Sequence, residues 1–151
     1  YGGREIAMTS RYILYAGHGD VRVENRIEGD CEGLLFTTGV MKMARNEASR
    51  DGGVLVAYGC DFPENDTLKW EREHVGLAVA VPERQIVSAI DDKTSYLYQL
   101  RPDERGRIDY VFEMLWRKST WLDGRSDAAC LVGLTESMRR ERKAPVVERI
   151  R

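Results

Sequence analysis

Histidine is the side chain best suited to move protons near neutral pH, and this sequence has two, His18 and His74. His18 lies in a Gly-His-Gly turn that points to an exposed ring. His74 follows a charged run, Trp70 to Glu73, and precedes an apolar one. A histidine at such a loop-to-strand junction can act as acid or base, and equally it can be an ordinary polar residue opening a strand. Lys42 has the apolar neighbours Val40, Met41 and Met43. It either meets an anionic sugar group, such as a uronate carboxylate, or projects from the wet face of a sheet. Thr37 and Thr38 offer hydroxyls, and Gly39 either lets a ligand approach the backbone or marks a β-bulge.

Aromatic side chains are numerous enough to stack on sugar rings. Trp70 and Trp121 lie in loop-like stretches and are the platform candidates, whereas Trp116, on an alternating run, reads as core. Glu64, Asp66, Glu71 and Glu73 are loop acids whose separation across a site is not readable from spacing. No spacing of His, Cys, Asp or Glu makes a metal site, and no cofactor is expected. Cys31, Cys60 and Cys130 fit either three reduced thiols or one bridge and one thiol.

These residues must be positioned by strands. Residues 34–43 and 53–61 are aliphatic, aromatic and β-branched, forming a long hairpin or two neighbouring strands closed by the polar run 45–53. Residues 4–15 and 21–28 alternate with period two around the turn at 16–20. The second of these carries one apolar face and one of paired opposite charges, as an antiparallel sheet with one wet face does. Residues 75–81 are a near-continuous apolar run, suited to a strand buried on both faces. Weaker alternation marks 85–89 and 94–100, and clear alternation marks 107–116.

Residues 59–67 and 119–124 read as loops, and 69–74 as one irregular charged turn. Ser126 is placed to N-cap a helix carrying Leu131, Leu134, Thr135 and Met138, with basic residues at its end and Pro145 as its stop. Val146, Val147 and Ile150 suggest a short last strand. About eight to ten strands in succession with one late helix predict an antiparallel β-sandwich in a single domain, residues 1–151.

Composition narrows the function classes. At 151 residues, 42% hydrophobic and 32% charged, the chain can bury one proper core. A net charge of -2, with 23 basic and 25 acidic residues interspersed, offers no stripe for nucleic acid. No apolar run is long enough for a membrane-spanning helix. The first residue is Tyr1, which leads to the expectation of a processed or partial chain.

The order of Phe36-Thr-Thr-Gly-Val-Met-Lys42, the strand to Tyr58-Gly59, Val75 to Pro82 and Tyr110 to Trp116 resembles the C-terminal half of the domain-of-unknown-function family numbered 4861. Met43 departs from the pattern, which often has histidine at that place. The resemblance implies a sandwich like those of sugar mutarotases, a role in polysaccharide degradation, and a periplasmic or secreted home. It also implies a longer parent domain, or a chain that completes its sheet by self-association through exposed strand edges.

The function expected on this basis is action on an acidic, uronate-containing oligosaccharide, as a lyase or a hydrolase. In β-elimination, Lys42 or Arg45 would neutralise the carboxylate and His74 or Tyr58 would move the proton. Hydrolysis would need two acids, with Glu73 and Asp66 as candidates. The alternative is a non-catalytic sugar-binding or assembly module.

Overall fold

The computed structural model describes residues 2–60, 73–118 and 126–141. Among them nine strands make two antiparallel sheets, and one helix follows. The strands are β1 (Ile6–Leu14), β2 (Asp20–Gly29), β3 (Phe36–Met41), β4 (Ala44–Asp51), β5 (Val54–Cys60), β6 (His74–Ala80), β7 (Ile86–Asp91), β8 (Ser95–Leu100) and β9 (Arg107–Trp116). The helix is α1 (Asp127–Glu141). The large sheet has the order β1-β2-β9-β6-β5-β4, the small one β3-β8-β7. The suggested last strand lies outside the described residues.

The apolar alternation of each strand decides how the layers meet. Leu55, Ala57 and Val79 of the large sheet pack against Val40, Tyr98 and Leu100 of the small one. The opposite face of β5 and β6, with Val56, Tyr58, Ala78 and Ala80, is covered by Cys130, Leu134 and Met138 of α1. That explains why β5 is apolar throughout: it is buried on both sides. The helix begins as the capping signal predicts, with the Ala129 amide donating to Ser126 Oγ at 3.3 Å. Arg139 pairs with Asp51 and ties the helix to the β4–β5 turn.

One element differs from the sequence expectation. The polar run 45–53 is not a hairpin loop; most of it is β4, paired with β5. The hairpin turn is only Gly52 and Gly53, at φ 51° and 84°, the left-handed pair that a two-residue turn requires. β4 is an edge strand, so charged residues such as Arg45, Glu47 and Asp51 face water and disguise it as loop. β3 therefore leaves β5 and enters the other sheet. The chain crosses at residues 42–43, and just after it the register of β4 on β5 shifts between Ala44 and Glu47, with Arg45 at φ 50°.

The two layers are unequal in width. At about 4.8 Å per strand, the large sheet spans roughly 29 Å and the small one roughly 14 Å. β3, an edge of the small sheet, lies over β5 and β6. Among the described residues, Tyr12 and Leu14 of β1 and Met114 and Trp116 of β9 stay largely exposed on the inner face of the large sheet, while Ile27 and Ile108 of the same face join the core; the open part beside β3 is the concave half.

Candidate functional site

Strand pairing assembles this half. Ser10 stands opposite Asn25, and Tyr12 opposite Val23, across β1 and β2. Asn25 stands opposite Ile108, and Val23 opposite Tyr110, across β2 and β9. Side chains directly opposite share a face, so these six line one surface. Charges alternate to the other, convex face, where Arg11 and Arg22 reach Glu24 at 3.5 and 3.9 Å.

The concave half carries large exposed apolar side chains beside buried ones such as Val23 and Ile108. Tyr12 is 65% exposed, Leu14 67%, Met114 68% and Trp116 48%. Scattered exposed hydrophobes mean little, but a contiguous group on one face marks a surface that takes a partner or ligand. Along the free side of β3 the surface deepens into a groove of about 160 Å³, lined by Phe36, Thr37 and Thr38 together with Ser10, Tyr12, Asn25 and Tyr110.

The polar groups of the groove are held in place. Asn25, 8% exposed, accepts from Ser10 Oγ at 2.7 Å and donates to the Ile108 carbonyl at 2.8 Å. The Tyr110 phenol has its pKa raised, chiefly by burial and further by neighbouring Tyr12, while a hydrogen bond with Thr38 opposes the shift. It stays a neutral donor and acceptor at physiological pH.

At the far end of β9, Trp116 Nε1 donates to Glu73 Oε2 at 2.9 Å, and Lys118 pairs with the same carboxylate. Those bonds hold the Glu73 pKa below its usual value, the Lys118 contact first. Trp116 was expected in the core; instead the small sheet does not reach it.

The structure separates the other candidates. Lys42 Nζ donates to the Asp92 carbonyl at 2.6 Å and lies 4.7 Å from the centre of the Tyr96 ring, clasping the β7–β8 turn outside the groove. Arg45 is exposed beside the β4 bulge. Gly39 shows no register shift, so it is not a bulge; a Cβ there would sit 2.0 Å from the Tyr96 carbonyl oxygen. Its role is close packing of β3 on β8.

Tyr58 and His74 do come together, with ring centres 6.1 Å apart, but on the opposite side of the large sheet, where Tyr58 packs against the helix. Cys60, facing His74 across β5 and β6, brings its sulfur to 3.6 Å from Nε2. This thiol–imidazole contact was not foreseen, because only the β5–β6 register creates it. Cys60 is buried. Trp70, Trp121, Glu64, Asp66 and Glu71 lie outside the described residues.

His18 Nδ1 sits 3.1 Å from Asp20 Oδ1 in the β1–β2 turn. All three cysteines are free thiols. Among the described residues no group of three or more His, Cys, Asp or Glu is arranged to hold a metal, and no helix is long and apolar enough to cross a membrane.

The family model described as a domain of unknown function, DUF4861, matches residues 1–127. The chain belongs to this family. No curated protein and no solved structure matches it. The DUF4861 match covers both sheets and ends where α1 begins, so the concave face lies wholly within the family region. Met43 is buried in the core between the sheets.

Proposed function

We propose that this DUF4861 chain is a non-catalytic carbohydrate-binding β-sandwich whose ligand lies along the concave half of the large sheet. The observation that carries this is the exposed inner face itself: Tyr12 and Tyr110 beside the fixed hydroxyl and amide groups of Ser10, Asn25 and Thr38, with Trp116 on the same face further along β9. Sugar rings have one apolar and one hydroxylated aspect, and amphipathic aromatics next to hydroxyls and an amide match both.

Binding is favoured over turnover because, among the described residues, those expected to carry out β-elimination do not meet at one place on the groove. Tyr58 and His74 belong to the helix side of the large sheet, Lys42 to the β7–β8 turn, and Arg45 to an exposed edge. β-Elimination needs a proton acceptor and a carboxylate partner within hydrogen-bond reach of one sugar ring. The family resemblance supplies the carbohydrate class and, with it, a periplasmic or secreted setting.

Titration calorimetry against an oligosaccharide panel tests the proposal. Binding without new reducing ends and without unsaturated-uronate absorbance is the expected result. Turnover of any panel member would replace the binding role with an enzymatic one.

A further inference from the structure

We infer that the ligand of the concave face is an uncharged oligosaccharide, a conclusion that rests on the carbohydrate-binding proposal. None of the side chains lining the groove carries a formal charge at neutral pH. The reason lies in the strand pattern. In β1 and β2 every second residue turns inward, and Ser10, Tyr12, Val23 and Asn25 take those places. Arg11, Arg22, Glu24 and Arg26 take the alternate positions and face the convex side, where they pair among themselves or with Glu28.

Among the described residues, the cations expected or found near the sugar surface lie outside the groove, Arg45 on the exposed β4 edge. Lys42 is bonded to the Asp92 carbonyl, and Lys118, beside Trp116, is paired with Glu73. A uronate carboxylate laid in the groove would give up water and meet neutral hydroxyls, phenols, an amide, a thioether and aliphatic carbon, with no cation among them. Burying a charge without a partner is strongly unfavourable. A hydroxyl in the same place loses less and finds the Thr38 hydroxyl and the Tyr12 and Tyr110 phenols as both donors and acceptors.

The test is a matched pair of ligands with one backbone: a galacturonan oligomer and its fully methyl-esterified form, with a neutral xylan oligomer alongside. Calorimetric titrations are run at low and high salt on the intact chain and on Tyr12→Ala. The expected result is binding of the esterified or the xylan oligomer at least about tenfold tighter than the free acid. That binding should change little with salt and weaken in Tyr12→Ala. Tighter binding of the free acid, falling as salt rises, overturns the inference and leaves the carbohydrate proposal standing. Binding that Tyr12→Ala does not weaken places the ligand elsewhere and overturns it too. Absence of binding by all three removes both the inference and the proposal.

Discussion

An alanine at Gly76 would place its methyl carbon 2.8 Å from Leu134 Cδ2 and 3.2 Å from Tyr58 Cδ2. Carbon atoms pack at about 3.5–4.0 Å, so the new methyl overlaps the leucine by roughly 1 Å. Leu134 is fully buried against β5 and β6, so it relieves the overlap only by displacing α1 or leaving its rotamer. Overpacking of this kind costs about 1–3 kcal/mol. Leu134→Ala alone empties the space above Gly76 and costs about 2–5 kcal/mol.

The double variant, Gly76→Ala with Leu134→Ala, should lose less than the two singles together, because the added methyl occupies part of the vacated volume. A favourable coupling of about 1–2 kcal/mol is expected. Urea unfolding followed by far-ultraviolet circular dichroism, extrapolated to water for all four chains, measures it. Additivity within about 0.5 kcal/mol would mean that Leu134 does not sit on Gly76. The packing of α1 on this face of β5 and β6 would then be wrong.

Three other substitutions probe the same account. Gly39→Ala brings a Cβ 2.0 Å from the Tyr96 carbonyl oxygen and 2.9 Å from Leu97 Cα, backbone atoms that cannot swing aside; a loss of about 3 kcal/mol or more is expected in a melting assay, and an unchanged Tm would refute the close packing of β3 on β8. Lys42→Ala removes an exposed bond to Asp92 and a contact with Tyr96; it should cost no more than about 1 kcal/mol and leave oligosaccharide affinity unchanged, whereas a clear loss of affinity would return Lys42 to the site. Asp109 has its pKa raised, first by burial and then by Glu24. Its folded pKa lies above the unfolded one, so ionisation costs stability at neutral pH, and that cost disappears as pH falls through the raised value. Asp109→Asn should therefore raise Tm at pH 7, with the gain shrinking toward the acid range; a lower Tm at pH 7 contradicts this.

The physical reasons for what the sequence revealed are uneven. Period-two alternation in 4–15, 21–28 and 107–116 names strands because the pleat sends neighbouring side chains to opposite faces. Ser126 announces the helix because a hydroxyl there satisfies an amide that the first turn leaves open. Alternation does not say whether a face will be covered. Trp116 reads as core although the small sheet stops short of it. β4 hid because an edge strand is polar, and its signal was the Gly52-Gly53 turn.

The groove joins residues from the start, the middle and the end of the chain, such as Ser10, Thr38 and Tyr110. Only antiparallel pairing and sheet stacking bring them together, so no spacing motif displays them. The Cys60–His74 contact is likewise a product of register. Thr37 and Thr38 are the residues singled out in the sequence that the structure places on the groove.

Binding of a neutral oligosaccharide to the Tyr12→Ala, Trp116→Ala double variant tests the central claim most directly. Both side chains are largely exposed on the concave face, so the variant should keep the circular dichroism spectrum and urea midpoint of the parent. Loss of affinity by about tenfold or more, with the fold intact, is the predicted result. Full affinity in the intact, folded double variant would contradict the assignment of this face as the ligand surface.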